Sequence, residues 1–505
     1  MTNSPKPPKI IVIGAGIGGL TAAALLAHRG YSVKVYDQAI VPGGCASTFK
    51  RRGFIFDVGA TQVAGLEPGG IHHRIFEELE IPLPSASPCD PACAVYLPGE
   101  TEPINVWRDP LRWREEQRRQ FPGSDPFWQL MRTLFRASWA FQGRDPVLPP
   151  RNLWDLSRLV GAVRPGTLVT VPFTFWTVGD ALRWFGLDGD RRLRTFLDLQ
   201  LKLYSQVEAE DTALLYAATA LGVSQDPQGL YHLQGSMQVL SDRLQQSLAR
   251  DGGTLQMGHR VEAIHNPNNS PNHPVTGVTV RNLKTEATWT DSADLIVANV
   301  TVQNLVQLLD YPPSGYHRRV DKLPPASGAF VIYLGVDAAA IPADCPPHLQ
   351  FFYDGEGEIA ENNSLFVSVS RPGDGRASEG QATLIASSFT DVRQWWTCDD
   401  YDQLKDHYTQ AAIARLNGYF DLSPQHLIHI EAATPRSFAH FTGREAGVVG
   451  GLGQRISTFG PFGFANRTPI SNLWLVGDCT HPGEGTAGVS YSAYTVVRQI
   501  DAKFG

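Results

Sequence analysis

The sequence runs to 505 residues, room for two or more domains, and its 42% hydrophobic and 18% charged residues exclude a disordered chain. A net charge of −7 lacks the basic excess of a nucleic-acid binder, so no nucleic-acid partner is expected. Six scattered cysteines with no secretory signal ahead of them argue against a disulfide framework and for a reducing, cytoplasmic compartment.

From Ile10 to Ala27 the sequence "IIVIGAGIGGLTAAALLA" is uncharged for 18 residues, the lower limit for a membrane span. Its glycines argue otherwise. Gly14, Gly16, Gly18 and Gly19 suit a turn, and His28, Arg29 and Gly30 read as a helix end. With "YSVKVYD" behind it, the segment reads as strand, turn, helix, strand. Gly14, Gly16 and Gly19 have the G-x-G-x-x-G spacing of a dinucleotide turn. The first permits the bend, the second admits a pyrophosphate and the third lets the helix pack. Asp37 ends the second strand, where a carboxylate can hold a ribose hydroxyl.

Directly downstream come Gly43 and Gly44, then "GFIFDVG" from Gly53 to Gly59. "CDPAC", with Cys89 and Cys93, is half of a zinc-like pattern, but no second pair follows and no metal is expected. Helical stretches follow. The charges of "WREEQRRQF" read as a solvated face, and Leu153, Leu156, Val160 and Val163 fall on one helical face. "TLVTVPFTFWTVG", Thr167 to Gly179, is uncharged but too short to span a bilayer. It reads either as buried core or as a monotopic patch beside a substrate tunnel, with Arg164, Arg183 and tryptophans at the interface. Thr177 and Asp180 have the spacing of a capping box.

Further on, "GAFVIYLGV", "SLFVSVS" and "ATLIASSF" read as strands of a sheet able to roof a pocket. "PNNSPNHPVTG" and "RPGDGRASEG" read as loops. Near the end, "NLWLV" is a strand, "GDCTHPGEGTAGVSYSA" from Gly477 a glycine-rich turn, and the following residues a helix. A nicotinamide site has no need of the second glycine turn at Gly43 and Gly44. Flavin adenine dinucleotide (FAD) is longer, and Asp478 can take its ribityl hydroxyls while Gly485 and Gly488 admit the ring. The last segment is thus expected to close the site that the first one opens.

These stretches resemble the FAD-dependent carotenoid desaturase and isomerase family, the phytoene desaturase superfamily. "GAGIGGLTAAALLAHRGYSVKVYDQAIVPGG" is similar to its N-terminal signature. "GFIFDVGAT" is similar to its G-x-x-F-D-x-G-P-[ST] element, with Ala60 in place of the proline. "YHLQGSMQVLSDRLQQSLARDGGTLQMGHRVEAI" resembles its returning segment, "ADLIVANV" a nearby strand ending at Asn299, and "ATPRSFAHFTGREAGVVGG" the stretch ahead of the C-terminal motif. The resemblance implies a discontinuous α/β architecture. A Rossmann-type FAD-binding domain (1–70, 231–300, 442–505) carries a helical, membrane-associating insertion (71–230) and a mixed-sheet substrate domain (301–441). It implies cofactor contacts at Gly14, Ala15, Gly16, Gly18, Gly19, Asp37, Gln38, Gly43, Gly44, Gly59, Ala60 and Thr61. It adds Val261 by its backbone on the adenine side, then Gly477, Asp478, Gly488 and Val489.

The implied reaction removes two hydrogens from a polyene, a hydride to the flavin and a proton from the adjacent carbon, with His481 or Glu484 as proton acceptor. The C-terminal stretch looks most like cyanobacterial C-3′,4′ desaturases of monocyclic hydroxylated carotenes. The isomerases resemble it too, but tend to have Phe at His481 and Gln at Glu484. The implied partners are a hydrophobic carotenoid, a quinone or oxygen as electron acceptor, and a membrane surface (thylakoid or plasma membrane in a cyanobacterium). Two readings stay open beside desaturation: cis–trans isomerisation, and a flavin-free lipid carrier on the same fold.

Overall fold

Apolar runs too hydrophobic for a one-sided sheet form the centre of the molecule. In the computed structural model, which describes residues 7–267 and 273–505, Lys9–Ile13 pairs in parallel with Ser32–Asp37 on one side and Leu295–Ala298 on the other. Leu473–Leu475 and Thr254–Met257 complete five parallel strands at the two edges. Parallel strands need both faces covered. The helix Ile17–His28 covers one face and is buried along almost its whole length. Gln238–Arg250 and the C-terminal helix Thr486–Phe504 pack against it. The uncharged run from Ile10 is therefore a core strand and a core helix. Among the described residues no helix is long and apolar enough to cross a membrane. Of the loop "PNNSPNHPVTG", residues 268–272 lie outside those described.

A seven-stranded mixed sheet stands beyond this one. Its order is Leu427–Ala433, Gly328–Asp337, Gln381–Thr390, Ser364–Val369, His348–Phe352, Cys93–Tyr96, Ile104–Val106. The last two strands come from the stretch expected to be helical, so residues 71–230 supply sheet as well as helices. Cys93–Tyr96 joins in parallel and the other pairings are antiparallel. The helices that follow include Pro110–Gln120, Asp125–Gln142, Leu153–Ala162, Arg191–Ser205 and Leu214–Gly222. The capping box forms: Thr177 Oγ1 accepts from the Asp180 amide at 3.1 Å, and Asp180 Oδ2 from the Thr177 amide at 2.9 Å.

Two sequence readings change. "WREEQRRQF" is not simply a solvated face. Trp113, Glu116 and Gln117 are buried, and the Glu116 carboxylate accepts from Arg119, Gln120 and the Asn105 amide. The apolar run from Thr167 is core only at its end, where Val178 and Gly179 are buried. Pro165–Phe173 forms a 3-10 segment with only Thr170 buried, because Pro172 and Gly166 prevent a longer α-helix. Leu168, Val169, Val171 and Phe175 face outward, as do Leu153, Leu156, Val160 and Val163.

A buried ion network ties the "GFIFDVG" element to the loop between Ser364–Val369 and Gln381–Thr390. Arg376 donates from Nε and Nη2 to Asp57 Oδ2 at 3.1 and 2.9 Å, while Asp57 Oδ1 accepts from the Met237 amide at 2.8 Å. Asp374 pairs with the same guanidinium at 3.1 Å and with His232 at 2.8 Å. Asp57, the acid of the "GFIFDVG" element, is thus fully engaged in this buried network.

Candidate functional site

The first glycine turn has the expected form. Gly14 takes φ +94°, open to glycine but strained for other residues, and its amide donates to Tyr36 O at 2.8 Å. Gly16 is the N-cap of the buried helix. A Cβ added to Gly19 would lie 2.0 Å from Gly14 O, so the third glycine is demanded by helix–turn contact. Asp37 accepts from the Ala15 amide at 2.6 Å and the Ala39 amide at 2.7 Å. Burial raises its pKa, and those two donors oppose the rise. Each oxygen keeps a lone pair for a hydroxyl.

The two ends of the chain meet at Asn299. Added Cβ atoms at Gly16 and Gly18 would fall 2.8 and 3.0 Å from its side chain, and one at Gly477 3.0 Å. Its amide donates to Ile13 O at 2.7 Å. One side chain therefore touches the N-terminal and the C-terminal glycine turns. The Gly477 amide is held by Ser492 Oγ at 3.1 Å, and the helix Thr486–Phe504 starts with its N-terminus at the same opening.

A cavity of about 1330 Å³ begins here. Gly14, Gly16 and Gly18 line it with Asp37 and Gln38; Gly43, Gly44, Gly59, Ala60 and Thr61 continue the wall. Val261 lines it beside a bulge in the strand His259–His265. Gly477, Asp478, Gly488 and Val489 close the far side. Ala15 and Gly19 stand behind the lining, Ala15 orienting Asp37 and Gly19 packing the helix. The fit to FAD rests on shape and donors. Glycine turns at both ends would be filled by any Cβ, two helix N-termini open into one cavity, and an acid stands at each end. Asp478 is paired with buried Arg444 at 2.8 Å. Asp478→Ala leaves that guanidinium buried without its carboxylate. It is expected to lower the flavin-to-protein ratio of the purified protein, and an unchanged ratio would refute the role.

His481 and Glu484 both face the same cavity. His481 Nε2 lies 3.0 Å from Gln142 Oε1, which assigns the ring proton to Nε2 and leaves Nδ1, with no partner, as the acceptor. Burial lowers its pKa to about 4, so the ring is neutral near pH 7. Glu484 Oε2 accepts from Gln206 Nε2 at 2.9 Å, and Oε1 is shut from solvent without a partner. Burial, opposed by that amide, raises its pKa to about 8. A neutral imidazole and a carboxyl that titrates near the working pH are suited to moving a proton.

Beyond these two the cavity reaches the exposed apolar segment. Thr167, Thr170 and Thr174 line its wall, while Leu168, Val169, Val171 and Phe175 point out of the molecule. The segment is polar within and apolar without.

Comparison with known proteins places this geometry. A model described as an NAD(P)-binding Rossmann-like domain matches residues 12–79, from the turn at Gly14 past Gly43 and Gly44. Prolycopene isomerase 2 of an Oncidium hybrid cultivar is 25% identical over 98% of this chain and 84% of its own. A zeta-carotene-forming phytoene desaturase of Myxococcus xanthus is 24% identical over 99% of this chain and 95% of its own. The chain is similar over its whole length to carotenoid desaturases and isomerases. Among solved structures, an oxidoreductase from Methanosarcina mazei superposes with a TM-score of 0.62 at 16% identity, covering 97% of this chain and 100% of that one. Cyclohexylamine oxidase from Brevibacterium oxydans does so at the same score and identity, over 98% and 100%. These superpositions establish a shared fold.

Four side chains of the site went unread in the sequence: Arg444, Gln206, Gln142 and the side chain of Asn299. Arg444 and Asn299 lie inside quoted motifs; for Asn299 a lone polar residue at a buried strand end was the available signal, and Arg444, in the loop after a helix, carried none. Gln206 and Gln142 sit in the helical insertion, where nothing in the sequence distinguishes them from surface glutamines.

Proposed function

We propose that this chain is an FAD-dependent carotenoid desaturase. It removes two hydrogens from adjacent carbons of a long polyene, at C-3′,4′ of a monocyclic hydroxylated carotene. The observation that carries the reading is the single cavity. It runs from the glycine turns, past His481 and Glu484, to a wall whose outer face is apolar and exposed.

In this reading residues 1–70, 231–300 and 442–505 hold the cofactor, 301–441 roof it, and 71–230 bring the substrate. Gly14, Gly16 and Gly18 cradle the pyrophosphate, Asp37 the ribose, Val261 the adenine side, Asp478 the ribityl chain, and Gly488 and Val489 the ring. FAD, when bound, supplies the hydride acceptor. The chain's own residues do the rest. The roof strands exclude water and hold the polyene extended. Glu484 takes the proton of the neighbouring carbon on Oε1, while Gln206 holds Oε2. His481, neutral and unpartnered at Nδ1, is the relay beside it. Electrons leave to a quinone or to oxygen.

The exposed residues of Leu153–Val163 and Leu168–Phe175 rest on a bilayer, from which a water-insoluble polyene passes by the Thr167, Thr170 and Thr174 wall. Phe175→Asp is expected to weaken binding to phosphatidylcholine vesicles several-fold, read by flotation. Unchanged flotation would remove the bilayer from the scheme.

Similarity to the prolycopene isomerases favours a second reading, cis–trans isomerisation at the same site. Incubation with a monocyclic hydroxylated carotene and an acceptor separates the two. A product lighter by two hydrogens is expected; one of unchanged mass and altered geometry makes the protein an isomerase. Colourless protein that takes up no FAD makes it a carrier.

A further inference from the structure

Beside the exposed apolar face lies a second groove, of about 870 Å³, which adjoins the cavity above at Pro461. Arg151, Arg319 and Arg455 line it, with Asp211 as its acid. Among the described residues Arg455 alone of the three has a carboxylate partner, Asp211 at 3.2 Å. Arg319 is held in place rather than neutralised: its guanidinium lies 3.9 Å from the centre of the Phe464 ring and donates to Phe462 O. Burial, and then the like charge of Arg151, lower its pKa, the mark of two cations facing one space in which the one acid, Asp211, is paired with Arg455.

One wall of the groove is Phe175 and Phe462, whose rings are 5.5 Å apart and which are 67% and 38% exposed. Phe175 belongs to the outward apolar segment, and Arg151 immediately precedes the helix that presents Leu153 and Leu156. The cations therefore sit at the border of the apolar face, where the headgroups of a bilayer resting on that face would lie. Arginine suits phosphate there, with two parallel donors and a stem that packs on apolar surface.

We propose that the groove of Arg151, Arg319 and Arg455 binds the phosphate of an anionic bilayer lipid and so orients the membrane-facing segment over its cavity. The proposal rests on the bilayer contact described above. The net charge of −7 sharpens it: the molecule as a whole is repelled by an anionic surface, so a preference for one requires a local cationic site.

The test uses the full-length protein and two kinds of vesicle, phosphatidylcholine alone and phosphatidylcholine with phosphatidylglycerol. The wild type is expected to bind the anionic vesicles roughly twenty-five-fold more tightly, from about fivefold for each of the two unpaired arginines near the surface. Arg151→Gln/Arg319→Gln is expected to lose that gain while binding neutral vesicles as the wild type does. Arg151→Gln alone, at an exposed position, loses part of it without disturbing the Phe464 stack. Retention of the anionic preference by the double variant overturns the site. Equal binding of both vesicles by the wild type overturns it and leaves the bilayer contact standing; no binding to either removes both. Uptake of inorganic phosphate in dialysis without any gain from phosphatidylglycerol makes the groove a free-anion site and overturns the lipid assignment.

Discussion

Gly19→Ala is expected to purify without flavin, colourless where the wild type is yellow. Alanine is the better helix former by about 1 kcal/mol. That gain is outweighed, because the added methyl would sit 2.0 Å from Gly14 O and 3.1 Å from the Asn299 side chain. Neither neighbour is a flexible tip. Gly14 O belongs to the turn itself, and Asn299 is pinned between both ends of the chain. Relief requires the helix to move away from the strand, and overpacking of this kind costs about 1–3 kcal/mol. The same movement displaces the amides at the helix N-terminus from the phosphates. Gly161→Ala is the control: no atom lies within 4 Å of its added Cβ, and its flavin content should match the wild type. Full flavin occupancy in Gly19→Ala would show that this turn does not cradle the cofactor.

Glu484→Gln is expected to keep its flavin yet slow flavin reduction by substrate by about 10²–10⁴-fold, the usual contribution of a positioned proton acceptor. The pH profile identifies the group. Burial holds the carboxyl protonated up to about pH 8. The wild-type rate should therefore rise with pH through about 8 and level off above it, while the variant's stays flat. Stopped-flow bleaching of the flavin band measures both. A variant that retains the rise assigns it to another group. Stability moves the opposite way. Between the ordinary carboxyl value of 4.5 and about 8 the folded chain holds a proton that the unfolded chain has released, so this group makes folding less favourable as pH climbs across that window. Glu484→Gln should lack that loss in thermal melts at pH 6 and pH 8. His481 acts in the other direction: lowered to about 4 from an ordinary 6.5, it makes folding more favourable as pH climbs between those values and adds no slope above them, so the Glu484 loss is read as the difference between wild type and variant.

What the membrane-facing stretch became illustrates the limit of reading a sequence. Uncharged runs at Ile10 and at Thr167 look alike by composition. The first is core because parallel neighbours pair along both edges of its strand, the helix Ile17–His28 packs on one face of that sheet, and two further helices cover that helix. The second is surface because Pro165, Gly166 and Pro172 hold it in a short 3-10 segment over the cavity mouth, threonines inward. Periodicity tells which residues share a side, not whether that side meets protein or solvent. For the same reason the charges of "WREEQRRQF" hid a buried Glu116.

By itself, the sequence determined the elements whose chemistry is local. These are the glycine turn at Gly14, its acid at Asp37, the strand before Gly477 and the helix after it. Each follows from backbone freedom, spacing and apolar period within a few residues. Only the tertiary structure decided what lies between them: Asn299 joining the two turns, Arg444 facing Asp478, Gln206 on Glu484, Arg376 on Asp57. Those partners are distant in the chain in all but the second pair, and a polar side chain carries no mark of the group it will meet. Its partner is selected by the packing of whole sheets and helices, where an unpaired buried charge or amide costs too much to leave unmet.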